Sequence, residues 1–488
     1  MTTFDTDVLV VGAGAAGLVT ALTARGRRVS ILHAGDTASE LAQGGIAAAV
    51  GADDTAPLHA ADTRAAGHER NDDRAVRFAC EHALDAIQWL ETLGVRFART
   101  RENQWSLHLE AAHSRARVLH ADGDATGAAI MRVLRAQLAE APHVELLPPM
   151  RARALLRSTS GIHGVTAVSD SGSPVRLRAR DVVLATGGIG ALYTRTTNPL
   201  DACGDGLAMA LAAGARCDSL AAVQFHPTAL DVDTRPLPLI SEALRGAGAR
   251  LIDASGKYIM QGRHPLGDLA PRDVVASVVY AEQLAGRQVW LDATVLQATD
   301  VAHSFPTAYR HCRDHGIDPH REPIAVTCAA HYHMGGVAVD LDGRTSLSRL
   351  WAVGEVACTG LHGTNRLASN SLLEAVTFGR RLGRVLGDAR SAAPDTGTLE
   401  PLAMHDERID DELRQLMWRC LGPLRTAAAL AEGIATLAAR RARLLQPAGS
   451  FAPHLQLVEA MLRAALPSID QDLMTRSITP SHLDQALG

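Results

Sequence analysis

The chain has 488 residues, is 47% hydrophobic and carries a formal net charge of -5, enough apolar material for two or three domains with cores of their own. Its basic residues are scattered, so nothing in its charge marks a nucleic acid or an anionic membrane as a partner. Seven cysteines without a Cys-x-x-Cys pair argue against a zinc site or a disulfide framework, and no apolar run reaches the roughly 18 residues of a membrane span. The start, Met-Thr-Thr-Phe-Asp-Thr-Asp, lacks the basic region of a signal peptide, so a cytoplasmic protein with free thiols is expected.

Asp7 to Val11 is an apolar run that ends in Gly12-Ala-Gly-Ala-Ala-Gly17, with a helix predicted through Ala24 and a second strand at Arg28 to Leu32. This is a βαβ opening. Apolar residues recur at helical spacing between Asp72 and Leu93, and Gly127 to Leu138 predicts a further helix. Short alternating runs from Arg151 to Leu184, divided at Ser160-Gly161 and Ser171-Gly-Ser-Pro174, predict an antiparallel meander inserted in a doubly wound sheet. It ends in Asp181-Val-Val-Leu-Ala-Thr-Gly-Gly188, a buried strand emptying into a glycine turn. Signals are mixed from Leu220 to Tyr332, with one clear helix at Arg272 to Leu284. A strand at Leu350 to Val353 stops at Gly354-Glu355, and a helix follows from Ser371 to Leu386, so the chain is expected to return to its first domain after an excursion. Ala392 to Thr398 reads as a linker, and beyond His405 the Arg/Leu/Ala periodicity predicts a small helical domain.

Gly12-x-Gly14-x-x-Gly17 between a strand and a helix is the dinucleotide fingerprint, in which small residues let a pyrophosphate approach the helix N-terminus. A glycine-rich turn without a ligand is the bland alternative. The acidic residue expected at the end of the second strand is missing: His33 stands there and Asp36 lies in the following loop, which disfavours an ordinary NAD site. Three further glycine clusters, at Gln43-Gly44-Gly45, Ala185 to Gly188 and Gly204-Asp205-Gly206, suit a long cofactor threaded along a sheet edge, and FAD is such a cofactor. Glu355, directly after a buried strand, is placed to bond ribityl hydroxyls, and the helix near Ser371 to aim its positive end at the flavin pyrimidine.

A second constellation is cationic. Gln224-Phe-His-Pro-Thr228, Ser241-Glu-Ala-Leu-Arg-Gly246, Pro271-Arg-Asp273, His331-Tyr-His-Met-Gly-Gly336 and Asn365-Arg366 put arginines and histidines in glycine-bounded turns. Arginine's planar fork suits the carboxylates of a small dianion. Taken singly, each has a bland reading as a solvated or satisfied side chain.

Together these motifs resemble the succinate dehydrogenase and fumarate reductase flavoprotein family, over about Asp7 to Arg381. The resemblance implies an α/β fold: a Rossmann-like FAD-binding domain (1–219 and 333–392) interrupted by an α+β capping domain (220–332), then a helical C-terminal domain (403–488). It implies cofactor contacts at Gly12, Ala13, Gly14, Ala15, Ala16, Gly17, His33, Ala38, Ser39, Gln43, Gly44, Gly45, Asp205, Glu355, Ser371 and Leu372. The covalently flavinylated members carry a histidine where this chain has Ala38, so FAD is expected to be non-covalent. His226, His331 and Arg366 are expected to bind two carboxylates, with Ser241, Ser369 and Glu110 completing the pocket. Arg272 matches the family's proton-shuttling arginine, which Glu242 and Arg245 are candidates to assist, since a free guanidinium loses its proton only above about 12.

Asn365-Arg-Leu-Ala-Ser-Asn-Ser371 and Glu110, in Leu109-Glu-Ala-Ala-His-Ser114, are similar to the branch that oxidises L-aspartate, where that glutamate meets the substrate amine. The implied partners are a small dicarboxylate (L-aspartate or fumarate), dioxygen as electron acceptor and a quinolinate synthase that consumes iminoaspartate. A soluble fumarate reductase or succinate dehydrogenase flavoprotein is the alternative expectation.

Overall fold

The computed structural model describes residues 2–296, 301–389, 400–401, 409–444 and 453–475. The expected linker at Ala392 to Thr398 lies outside the described residues.

The first sheet is built around two long strands. β1 (Thr2–Val11) leads into α1 (Ala15–Thr23) and β2 (Val29–Leu32). β1 is longer than its apolar run because Thr2 to Thr6 pair in register with residues 175–179, so the ladder rather than apolarity extends it. The run from Asp72 to Leu93 is two helices, α2 (Asp73–Glu81) and α3 (Ala83–Leu93), separated at His82, whose ψ of 6° interrupts the helical course. α4 (Thr126–Ala139) and β3 (Val144–Leu146) follow. The meander is present as β4 (Met150–Ser158), β5 (Gly161–Ser169) and β6 (Pro174–Leu184).

The pairings that matter for function are parallel: β1 with β2, β2 with β3, and β6 with β1. Their carboxyl ends open on one edge, the place where open α/β sheets bind ligands.

The stretch with mixed signals holds more than one helix. α5 (Asp205–Ala212) precedes it, and it contains β7 (Val223–Leu230), α6 (Glu242–Gly246), β8 (Arg250–Ile252), α7 (Arg272–Leu284), β9 (Val289–Asp292), α8 (Pro306–Asp314) and β10 (Ile324–His333). The four strands form an antiparallel sheet in the order β7-β10-β9-β8. A register shift between His226 and Ala229 and another between Gln224 and Phe225 blur the alternation of β7, which is why it is faint in the sequence.

β11 (Leu350–Ala352) returns to pair in parallel with β6. α9 (Asn370–Asp388) then lies along α1. Gly379 and Gly383 face α1, and Gly387 faces the turn at Arg25 that follows it; a Cβ at Gly383 would stand 2.6 Å from Thr20 O, so only glycine permits this approach.

The C-terminal part is helical: α10 (Asp411–Leu421), α11 (Ala427–Leu444) and α12 (Pro453–Thr475). Trp418 of α10 meets Phe225 and Tyr280 edge-on, at ring separations of 5.8 and 5.7 Å, anchoring it to β7 and α7. His454 at the start of α12 reaches Asp205 at 3.0 Å.

Candidate active site

One continuous cavity of about 530 Å³ runs from the carboxyl ends of β1, β2, β6 and β11 to the face of β7 and β10. All the residues expected to form the site border it except Gly17. Gly17 is instead required by packing, since a Cβ there would stand 2.1 Å from the carbonyl oxygen of Gly12.

The first half of the cavity is a cradle. The first turn of α1 carries no acidic side chain and Gly14 supplies no side-chain cap; Ser39 Oγ accepts the Ala15 N–H at 3.1 Å. The positive end of the helix is thus left for an anion. Glu355 accepts the His333 N–H at 2.9 Å, and burial pushes its carboxyl up to about 7. A carboxyl in that state gains most from hydroxyl partners. α9 begins with neither a side-chain cap nor an acidic residue in its first turn, and Ser371 and Leu372 at that end border the cradle. The donor set therefore fits FAD: a helix start for its pyrophosphate, Glu355 for its ribityl chain and a second helix start for its pyrimidine. Ala38 puts only a methyl group on the cavity wall. Asp205 also borders the cavity while held by Arg151, at 2.6 Å, and by His454.

The second half is a buried cationic chamber. Gln224 and His226 are both buried on β7, on either side of the register shift at Gln224/Phe225, and His226 borders the cavity. His226 Nδ1 accepts the Thr228 N–H at 3.2 Å, which leaves Nε2–H as the donor toward the cavity. His331 of β10 shares a 2.8 Å hydrogen bond with Thr197 through Nδ1, and its ring lies 5.1 Å from that of His226. Burial, and then the charge of Arg272, hold both imidazoles well below the usual histidine pKa, so both are neutral near pH 7.

Arg272, the first residue of α7, donates from Nε to Glu242 at 2.5 Å and from Nη1 to Gln224 Oε1 at 3.1 Å. Arg366 donates from Nη2 to the same Gln224 oxygen at 3.1 Å and from Nη1 to Ser371 at 3.0 Å. Its guanidinium lies 4.9 Å over the ring of Tyr332. Burial and the nearby Arg272 lower its pKa to about 10, which keeps it charged at neutral pH. Arg245 stands 3.8 Å from the same Glu242, so two buried guanidiniums share one carboxylate, and buried Arg366 lies beyond them on Gln224. Such an excess of buried positive charge is costly unless an anion enters.

Beside the chamber, Ser369 donates to Glu110 at 2.7 Å, and His120 stands 3.6 Å from the same carboxylate. Burial opposes ionisation of Glu110, but His120 and the other donors outweigh it and hold the pKa down to about 2. Ser241 borders the cavity and caps α6, its Oγ accepting the Ala243 N–H at 3.2 Å.

Sequence reasoning passed over Gln224, Tyr332 and Thr197. The first two sit inside motifs quoted for their histidines, and Gln224 is in register with Tyr332 across β7 and β10. No helix among the described residues is long and apolar enough to cross a membrane, and no group of three metal-ligating side chains occurs among them.

A glycine-lined cradle at the strand ends of a doubly wound sheet, opening on a buried cationic chamber, defines a flavoprotein oxidoreductase. The comparisons agree. The FAD binding domain family model matches residues 7–372. The L-aspartate oxidase of Caulobacter vibrioides is 46% identical over 433 residues, covering 87% of this chain and 84% of that protein. The L-aspartate oxidase of Mycobacterium leprae is 42% identical over 448 residues, 88% of this chain and 84% of that protein. An E. coli quinol fumarate reductase has the same architecture, with a TM-score of 0.84, 27% identity and coverage of 96% of this chain and 90% of that chain. The chain belongs to the L-aspartate oxidase family.

Proposed function

We propose that the protein oxidises L-aspartate to iminoaspartate, the first step of de novo NAD biosynthesis by way of quinolinate. FAD, bound non-covalently in the cradle, supplies the acceptor for the two electrons and the Cα hydrogen, and dioxygen, giving hydrogen peroxide, or fumarate, giving succinate, takes them on. The chain's own residues do the rest.

Arg366, with neutral His226 and His331 as hydrogen-bond donors, holds the two carboxylates in the chamber; Ser241 adds a hydroxyl. Entry of the dianion offsets the surplus of buried guanidiniums, so charge as well as shape selects it. The ionised Glu110, presented by Ser369, meets the substrate ammonium. Fixing both ends aligns the Cα–H bond, and orientation of this kind contributes much of the rate. Arg272 relays the proton lost by the amine. Glu242, on its Nε, is the carboxylate that keeps the guanidinium charged during exchange, and Arg245 lies beyond it.

The observation that carries this reading is Glu110: a buried carboxylate, kept ionised, beside a chamber otherwise built for anions. Succinate offers no partner for it. The product imine hydrolyses in water, so a quinolinate synthase that takes it up is the functional partner, and the setting is cytoplasmic.

The test is to purify the flavoprotein, add L-aspartate, D-aspartate or succinate in air, and measure peroxide and oxo-acid. Peroxide with L-aspartate alone is expected. Reduction of the flavin by succinate but not by L-aspartate would overturn the reading in favour of a fumarate reductase or succinate dehydrogenase.

A further inference from the structure

Ser369 is a non-glycine residue in the left-handed region, with φ of 63°, at the junction between the Arg366 loop and α9. Such a conformation is unfavourable for a residue with a Cβ, so it persists where neighbours impose it. Three successive residues here are each held by a different side chain. Ala368 O accepts from His113 Nε2 at 3.0 Å, Ser369 donates to Glu110 at 2.7 Å, and Asn370 Oδ1 meets His59 Nε2 at 2.9 Å.

His113 and Glu110 belong to one turn, closed by the His113 N–H donating to Glu110 O at 3.2 Å. That turn is fixed from behind. Arg117, with no exposed side-chain surface, donates from Nε and Nη2 to Asp54 at 2.7 and 3.0 Å, from Nη1 to Asp62 at 2.5 Å, and from Nη1 to His113 Nδ1 at 3.2 Å. Asp62 also accepts the backbone N–H and the hydroxyl of Ser114, both at 2.8 Å. A carbonyl only accepts and a guanidinium only donates, so His113 carries its proton on Nε2 and a lone pair on Nδ1. It is a single neutral tautomer, linking a buried ion cluster to the substrate loop.

We propose that His113 is a positioning residue: it transmits the fixed geometry of the Arg117–Asp54–Asp62 cluster to Ala368, and so sets Ser369 and Glu110 where they recognise the substrate's amino group. The inference rests on the proposed oxidation of an amino dicarboxylate. It makes His113 a determinant of selectivity for the amine over the unsubstituted dicarboxylate, although it lies outside the cavity.

The test compares His113→Leu, which loses both hydrogen bonds, with His113→Gln, which keeps a donor for Ala368. Both are assayed as FAD-loaded proteins for L-aspartate oxidation and fumarate reduction. Loss of the hydrogen bond that holds Ala368 predicts a rise of about ten-fold in KM for L-aspartate in H113L, with kcat and KM for fumarate changing less and H113Q restoring most of the loss. If H113L does not fold, H113Q against the wild type carries the comparison, with a smaller rise expected in the same direction. A KM for L-aspartate in H113L within about two-fold of wild type, or equal losses for both substrates in either variant, overturns the proposal. Should the wild type itself fail to oxidise L-aspartate, the functional reading falls while the clamp is still read directly. Amide hydrogen exchange across residues 367–371 is then faster in H113L if His113 holds the loop, and unchanged if it does not.

Discussion

Arg272 and Arg366, buried and 94 residues apart in sequence, converge on a single atom: Gln224 Oε1 accepts from both at 3.1 Å. The amide is oriented by its other end, where Nε2 donates to Asn365 Oδ1 at 2.7 Å and to the carbonyl of Arg366 at 2.8 Å. Two like charges are thus held side by side by a neutral acceptor, with the Glu242 carboxylate on Nε of Arg272 alone. Gln224→Leu leaves two buried donors without that acceptor and is expected to raise KM for L-aspartate about 10- to 100-fold. Gln224→Glu puts a carboxylate between the arginines and should be worse still, since it competes with the substrate for both. Steady-state kinetics on the two variants check the order, and a Q224E protein that binds substrate better than Q224L contradicts it.

Arg272→Leu removes the relay but leaves the cradle's Glu355 and both helix starts untouched. The expected variant is a yellow protein with a normal flavin spectrum and kcat lower by about 10²- to 10⁴-fold. Near-normal turnover would take the proton transfer away from Arg272.

Glu110→Gln keeps a hydrogen-bond acceptor for Ser369 and removes the charge. Oxidation of L-aspartate should fall more than reduction of fumarate, because only the former substrate carries an ammonium group. Parallel kinetics in the two directions measure the difference; equal losses would remove the case for amine recognition.

Glu355 makes the protein's stability depend on pH without its cofactor. Its carboxyl is raised from 4.5 to about 7 in the folded chain, so between those values the native state binds a proton that the unfolded chain has released. Its contribution is fully present below about 4.5, falls as pH rises through that window and levels off above about 7. The slope cannot exceed the roughly 1.4 kcal/mol per pH unit that corresponds to one proton, and it approaches that limit only in the middle of the window. Thermal unfolding of the apoprotein across pH 4.5–7.5 should therefore show the wild type losing stability relative to Glu355→Gln as pH rises, the other titrating groups being common to both. Coincident pH profiles for the two proteins would show that the carboxyl titrates normally.

The cradle was readable in the sequence and the chamber only in fragments. Gly12, Gly14 and the Gly44-Gly45 pair announce themselves because they answer a local demand, close backbone approach at a strand end. The motif around His226 was equally visible, but what His226 does depends on Thr228 fixing its tautomer and on β10 bringing His331 alongside. Gln224 shows why such partners are hard to read: its acceptor role exists only where α7 delivers Arg272 and the loop before α9 delivers Arg366.

What the sequence determined alone is what acts over a few residues: the βαβ start, the glycine turns at strand ends, and helices such as α7 and α9 that follow from apolar periodicity. The tertiary structure decided which distant groups share charge and hydrogen bonds. Ser369 meets Glu110 across 259 residues, and His113 meets Ala368 across 255. Interactions of that kind depend on where the sheet and the inserted antiparallel strands place each loop, and burial then strengthens them by excluding water. Local pattern specifies backbone shape; only the fold specifies which charges face one another.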